Sequence, residues 1–505
     1  MILSRYNLKN IDSQEILKPA EAVFEFPEKV LQFGTGVLLR GLPDYFIDKA
    51  NRQDIFNGRI VVVKSTASGD TSSFDKQDGL YTQCVRGLEN GNKIEENIIN
   101  TSISRVLTAK TDWSEILKCA HNPDMEIIIS NTTEVGIRLE KDDIRKHPPV
   151  SFPGKLLAFL YERYNAFAGS HQSGMVIVPT ELIVDNGKKL ESIVLELAHL
   201  NGLDDNFIQW LENSNFFCSS LVDRIVPGSP GEADRAGLEK QFGYSDELLT
   251  ISEAYRLWAI EGDDHIKSVL SFAQADEGVV IAPDINLFRE LKLRMLNGTH
   301  TLSCGLAFLA GFDTVKQAMD NKDMSAFISD LMLKEIAAGI PYTVQNDTAQ
   351  EFGQKVLDRF RNPYLEHHWL SITMQYTSKM KMRNVPVILK YAERMNAVPE
   401  NISLGFAAYL LFLKPAQKKQ DKYYGEWNGA EYLITDDAAP YFYELWKKNK
   451  PAELVDTVLS DSGLWGEDLA AVPGFAQAVK EKLTLLLERD PVKAIQINQT
   501  KKVLA

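Results

Sequence analysis

The stretch KLRMLNGTH carries Lys292, Asn297 and His300 in a K-x4-N-x2-H spacing. A lysine beside apolar side chains has its charged form disfavoured by desolvation, which moves it toward the range where it can exchange protons. An asparagine amide and a histidine N–H can both donate to one oxygen. Such a trio could stabilise an alkoxide while a hydride arrives at or leaves its carbon. Read as an α-helix at about 100° per residue, the segment puts Asn297 about 140° and His300 about 80° from Lys292. All three then border one apolar stripe formed by Phe288, Leu291, Met295 and Leu302. Taken singly, the lysine also reads as a snorkelling surface residue and Asn297-Gly298 as a turn.

Hydride chemistry needs a nucleotide, and residues 29–50 offer a place for one. KVLQFGTGVLLRGLPDYFIDKA runs from an apolar strand through Gly34-Thr35-Gly36 into a segment with helical spacing. Glycine suits a backbone that must approach a pyrophosphate closely, and the following helix start presents free N–H groups. A full G-x-G-x-x-G would place glycine at Leu39, so an ordinary tight turn fits the same residues.

The β-branched run RIVVVKS at 59–65 reads as a second strand buried on both faces. EIIIS at 126–130 and GMVIVPTELI at 174–183 repeat the pattern, separated by helical stretches such as DWSEILKCAH and KLLAFLYERYNAF. A doubly wound α/β sheet, Rossmann-like, is expected over residues 20–280, with ligand at the carboxyl ends of the strands. Lys64 at the end of the second strand leans locally toward NADP, while Asp70 could serve an NAD ribose. A solvated lysine is the plain alternative.

From about residue 285 the β-branched runs stop and apolar residues recur at helical spacing through TLSCGLAFLAGF, MSAFISDLMLKEIAAG and ISLGFAAYLLFL. The expected division is an N-terminal unit, 1–282, and an all-α unit, 283–505, joined near Pro283 with Asp284 as helix cap.

Composition narrows the function classes. The 505 residues are 44% hydrophobic and 25% charged, as in an ordinary globular protein. A net charge of −14 without a basic block argues against nucleic acid as partner. The longest apolar run, LGFAAYLLFL, is too short to span a bilayer, so no membrane association is expected. The four cysteines are scattered, without a C-x-x-C pair, which suits a reducing cytoplasm and no thiolate zinc site. An anionic substrate would need its own cluster of cations.

KLRMLNGTH resembles the signature of the polyol-specific long-chain dehydrogenases, the mannitol dehydrogenase family. VLQFGTGVLLRG, SNTTEVGI, FCSSLVDRIVPG and RFRNPYLEHHWLSI are similar to family segments in the same order, so the resemblance spans nearly the whole chain. Longer stretches such as QDGLYTQCVRGL and LNGTHTLSCGLAFLAGFDTV are most similar to members acting on sugar acids.

The resemblance implies a zinc-independent NAD enzyme with Lys292 as acid/base and Asn297 and His300 on the reacting oxygen. It overrules the lean toward NADP. It implies cofactor contacts at Gly34, Thr35, Gly36, Val37, Leu38 and Arg40, with Ser130 and Asn131 near the nicotinamide ribose. Asp223 and Lys379 match positions near substrate. Mannitol dehydrogenases carry an arginine eight residues before that lysine and an asparagine after the fourth strand, where this chain has Ser371 and Leu182. The departure speaks against mannitol and suits a small anionic sugar acid, whose carboxylate would prefer Lys379, Arg383 or Arg361. No metal is expected: His367 and His368 are adjacent and read as surface residues. Two other readings stand, a family dehydrogenase of different stereochemical preference and a nucleotide-binding sensor without turnover.

Overall fold

The computed structural model describes residues 1–66, 70–132 and 136–504. The chain divides into two compact units, Met1–Gly87 with Lys93–Ile285, and Leu88–Asn92 with Asn286–Ala505.

The first unit is organised around six strands: β1 (Glu28–Phe33), β2 (Arg59–Lys64), β3 (Ile103–Thr108), β4 (Ile127–Ser130), β5 (Val176–Pro179) and β6 (Phe216–Phe217). Their order is β3-β2-β1-β4-β5-β6, and neighbouring strands are parallel. The β-branched runs have a simple cause. Alternate side chains of a strand point to opposite faces, and both faces are covered here. Leu31, Phe33, Val61, Val63, Ile128 and Ile177 enter one core, shared with the helices Phe152–Ala166 and Asn186–Leu200. Val30, Ile60, Val62, Ile127, Ile129 and Val178 enter the other, shared with the helix Pro43–Asn51 and with Trp258 and Phe272. The direction of strand addition reverses between β1 and β4, and such a switch point is where doubly wound sheets open a ligand crevice.

The second unit is helix-rich. Its centre is the helix Glu400–Phe412, in which every residue from Asn401 to Phe412 is buried. The apolar LGFAAYLLFL run therefore makes a helix wrapped by protein on all sides. Among the described residues no helix is long and apolar enough to cross a membrane. Gly405 permits close packing: a Cβ there would stand 2.5 Å from the Leu302 carbonyl oxygen of the neighbouring helix Thr299–Leu309.

The unit is not wholly helical. Pro415–Lys419, Lys422–Trp427 and Ala430–Ile434 form an antiparallel three-stranded sheet. Asn428 and Gly429, both at positive φ, make its second turn. Trp427 Nε1 donates to Leu309 O (2.7 Å) and Tyr432 Oη to Phe412 O (2.8 Å), which fastens the sheet to the helical core.

Candidate active site

In the first unit the candidate site starts where β1 ends. Gly34 N donates to Val63 O (3.0 Å) and Asn131 N to Phe33 O (3.1 Å), so β1, β2 and β4 stay paired up to the turn. Gly34 has φ +132°, and a Cβ there would lie 2.9 Å from the Asn131 carbonyl oxygen and 2.8 Å from Leu39 Cδ1. Only glycine tolerates that position. Gly36 differs: it is exposed, caps the short helix Val37–Gly41, and has no atom within 4 Å of where a Cβ would be. The open space there fits a phosphate-bearing group. Thr35, Val37 and Leu38 are partly open beside it.

Arg40 is less available than the sequence suggests. Its Nη1 donates to Leu248 O (2.8 Å), its guanidinium lies over the rings of Phe74 and Tyr81, and burial lowers its pKa. Lys64 is not a solvated lysine: it is buried, and its Nζ donates to Thr66 O (2.6 Å). A charge engaged in that way is not presented to a 2′-phosphate. Asp70, on the surface, accepts from Ser72 N at 3.0 Å.

A buried carboxylate that the sequence reading missed stiffens the end of β4. Glu181, just past β5, accepts from Ser130 Oγ (3.1 Å) through one oxygen and from Thr132 N and Oγ1 (2.8 and 3.0 Å) through the other. Burial raises its pKa against these bonds. Asn131 Nδ2 reaches Thr180 O and Oγ1 (3.2 and 2.9 Å). Ser130 and Asn131 thus sit at the switch point, with their side chains tied to the segment after β5. Residues 133–135 of that motif lie outside the described residues. Asp223 is buried at the end of the strand Ser220–Asp223 in a smaller sheet of the same unit.

In the second unit the segment carrying the trio is not a plain α-helix. Asn286–Leu291 is α-helical, Lys292–Gly298 is a π-helix and Thr299–Leu309 is α-helical again. The α-helix wheel therefore misplaces Asn297. In a π-helix the ladder runs from i to i+5, so residues five apart stack, and Lys292 and Asn297 are five apart. Both are half-buried on that turn. The helix also starts at Asn286, one residue later than an Asp284 cap implies.

His300 is buried, with Nε2 lacking a hydrogen-bond partner. Its ring stacks on Phe360 at 4.2 Å and meets His367 edge-on at 5.1 Å. Burial first, then the charges of His367, Arg359, Arg383 and Lys379, hold its pKa well below the usual histidine value. A neutral imidazole with an unsatisfied nitrogen is suited to an uncharged polar partner such as a carbonyl oxygen. His367 is accordingly no surface residue: it is partly buried against His300, and burial first, then the charges of Arg359, His368 and Lys379, lower its pKa.

The helix Tyr376–Met395 brings Lys379 and Arg383 to the trio. Lys379 Nζ donates to Ile372 O (3.0 Å), and Arg383 Nη1 to Thr301 Oγ1 (3.0 Å) and Asn297 O (3.4 Å). Burial lowers both pKa values. Arg361, at the end of the helix Asn346–Phe360, pairs instead with Asp358 at 3.8 Å.

Pro386 stands inside the Tyr376–Met395 helix and supplies no N–H to Met382 O, four residues earlier. Buried Arg294, from the π-turn, takes that carbonyl at 2.6 Å and Arg383 O at 2.9 Å. It thereby couples the trio's turn to the helix bearing Arg383. Arg294→Met, apolar and of similar length, should lower stability by about 1–3 kcal/mol, the usual cost of orphaning buried polar groups. Urea denaturation measures this, and unchanged stability would mean that Met382 O has another donor.

A parallel sheet with a glycine turn at its switch point, and a second unit presenting a lysine, an amide and a neutral histidine, define a nucleotide-dependent dehydrogenase. The chain belongs to the mannitol dehydrogenase family: residues 28–271 match the mannitol dehydrogenase Rossmann domain and residues 284–487 the mannitol dehydrogenase C-terminal domain. It is 38% identical over 476 residues to altronate oxidoreductase of Bacillus subtilis (strain 168), covering 94% of this chain and 95% of that protein. To altronate oxidoreductase of Klebsiella pneumoniae (strain 342) it is 37% identical, covering 94% and 97%. Two solved structures share the fold at 20% identity. D-sorbitol dehydrogenase in substrate-free form has a TM-score of 0.78, with 98% of this chain and 100% of that one covered. Pseudomonas fluorescens mannitol 2-dehydrogenase, in a ternary complex with NAD and D-mannitol, has a TM-score of 0.65, with 99% and 100% covered.

Proposed function

We propose that the protein reduces D-tagaturonate to D-altronate with NADH, reversibly, as a step of hexuronate breakdown in the cytoplasm. The observation that carries this reading is the Lys292, Asn297 and His300 set beside the cations Lys379 and Arg383, in a chain whose relatives are named altronate oxidoreductase. Four free, buried cysteines suit the reducing compartment.

The division of labour follows the chain. Residues 1–282 hold the nucleotide: Gly34, Thr35, Gly36, Val37, Leu38 and Arg40 around its phosphates, Ser130 and Asn131 toward its nicotinamide ribose. Bound there, NADH supplies the hydride. Residues 283–505 hold the substrate and the acid/base group. Asn297 and His300 fix the ketone oxygen, and the hydride-accepting carbon turns that oxygen into an alkoxide, which Lys292 protonates. In the oxidative direction Lys292, as the free amine, takes the hydroxyl proton. Lys379 and Arg383 attract the carboxylate; Asp223 supports the substrate region.

NADH consumption, followed by absorbance with purified protein, tests this against D-tagaturonate, D-fructuronate and D-fructose at equal concentration, each repeated with NADPH. Turnover is expected to be fastest with D-tagaturonate and NADH. Preference for D-fructuronate would assign the chain to fructuronate reduction. Binding of NADH without turnover of any sugar would favour a nucleotide sensor.

A further inference from the structure

In the first unit Leu42 precedes Pro43, and the residue before a proline is pushed out of the helical region. The short helix Val37–Gly41 therefore stops at Leu42 (φ −131°, ψ −76°), and a separate helix, Pro43–Asn51, begins. The last carbonyls of the short helix are taken by side chains from distant segments, as buried helix ends require. Tyr81 Oη donates to Arg40 O (2.8 Å), while Gln83 Nε2 and Arg224 Nη1 both donate to Gly41 O (3.2 and 2.6 Å). Arg224 is buried; its Nε donates to Glu253 O (2.9 Å) and its guanidinium lies over the Tyr45 ring at 4.4 Å. One side chain thus touches the end of the short helix, the first turn of the next helix and the strand Thr250–Glu253.

The residues after Arg224 continue this contact. A Cβ on Gly41 would stand 2.6 Å from Val226 Cγ2, and one on Gly228, at φ +90°, 3.0 Å from Val37 Cγ1. Val37 opens the short helix and Gly41 closes it, so the stretch from Arg224 to Gly228 touches both its ends. That stretch is itself fixed, because Ile251 N donates to Gly228 O (2.9 Å) and Glu253 N to Ile225 O (3.0 Å). The strand Thr250–Glu253 pairs in turn with Tyr81–Glu89, which carries Tyr81 and Gln83. All three donors therefore rest on a support outside the parallel sheet. At its other end the short helix joins the glycine turn, where Arg40 N donates to Gly36 O (3.4 Å). So short a hydrogen-bonded helix moves as one piece, and the position of Gly41 sets that of Gly36.

We propose that Arg224 is a positioning residue for the nucleotide: by clamping the end of the helix Val37–Gly41, it holds the glycine turn in the conformation that accepts NADH. The clamp rests on the reading that places the nucleotide at that turn. A turn fixed before binding spares the ligand the cost of ordering it, whereas a loosened turn lowers apparent affinity by the fraction of molecules that are competent. Once NADH is bound, hydride transfer should run at its normal rate.

Fluorescence titration with NADH, steady-state kinetics and thermal melting of Arg224→Met, Arg224→Lys and Arg163→Met test this. Arg224→Met should weaken NADH binding roughly tenfold, the effect of a lost charge-assisted bond. KM for NADH should rise to match, with kcat at saturating NADH and KM for the sugar little changed. Arg224→Lys, which keeps a charged donor, should recover part of the affinity. Arg163 is the control. It is also buried, and it donates to Ser173 O, Ala120 O and Asn122 O on the other side of the parallel sheet from the helix Pro43–Asn51. Arg163→Met should melt at a lower temperature and bind NADH normally. Unchanged NADH affinity in Arg224→Met, or an equal loss in Arg163→Met, would overturn the clamp. If Arg224→Met does not fold, Gln83→Leu decides: it removes the other side-chain donor to Gly41 O and should weaken NADH binding by a smaller factor, and no change counts against the clamp. Normal NADH binding in both Gly34→Ala and Gly36→Ala would move the nucleotide away from the turn, and the clamp falls with it. Weakened binding in those two variants with normal binding in Arg224→Met overturns the clamp alone.

Discussion

Lys292→Ala should lower kcat for ketone reduction by roughly 10²–10⁴-fold, the range that a positioned acid/base group contributes, with the affinity for NADH unchanged. The residue lies on the π-turn of the second unit, one stacked position from Asn297. Its removal deletes the proton donor while His300 and Asn297 still hold the oxygen, so the loss should fall on kcat more than on KM. Lys292→Arg sharpens the experiment. Arginine keeps the positive charge but stays protonated in proteins, so it cannot take a proton in the oxidative direction. A group that cannot take the proton cannot give it either, so steady-state kinetics should show altronate oxidation and tagaturonate reduction falling together. An alanine variant with unchanged kcat would falsify the acid/base role.

Gly34→Ala is expected to weaken NADH binding at least tenfold and to destabilise the first unit. At φ +132° an L-residue is strained, typically by about 1–3 kcal/mol, and the added methyl group meets the Asn131 carbonyl oxygen at 2.9 Å. Leu39 can swing its side chain away, but a backbone carbonyl held at the switch point cannot. Gly36→Ala separates ligand space from protein strain, because its φ of −66° suits any residue and no protein atom stands within 4 Å of the new Cβ. Fluorescence titration with NADH and thermal melting should show both properties impaired in Gly34→Ala, and binding alone impaired in Gly36→Ala. Normal NADH affinity in both variants would place the cofactor elsewhere.

The parallel sheet was legible because its strands are buried on both faces, and burial on both faces leaves an unbroken apolar run such as IVVV at 60–63. Strand β3 escaped notice because Ser104 and Arg105 interrupt it at the edge of the sheet, where Arg105 pairs with Glu28. The hairpins after residue 415 left a clear mark in Asn428-Gly429, but polar, exposed strands carry no core pattern for periodicity to detect.

At the candidate site, residue types were readable and their settings were not. The trio could be picked out by chemistry, yet a wheel at a fixed angle per residue assumes the α-ladder, and here the ladder changes. His367 read as a surface residue and Lys64 as a 2′-phosphate contact or a solvated lysine because sequence does not reveal which polar side chains will be enclosed. Arg294 and Glu181 act by hydrogen bonds to backbone and side chains far away in the chain. Only Pro386, which leaves Met382 O without its helical donor, gave a local hint that an outside donor was needed.

The π-turn makes the chemistry depend on a count of residues as well as on their kinds. A π-turn amounts to an α-helix carrying one surplus residue. Losing any one residue between Lys292 and Asn297 would let the segment relax into a regular helix with the pair four apart, and residues four apart on an α-helix still share a face. Such a variant would keep the lysine, the amide and, now seven residues on, the histidine on one side of the helix. Spacing and ladder are therefore a matched pair here: five residues on a π-turn do what four do on an α-turn, and a change of one without the other is what would scatter the trio.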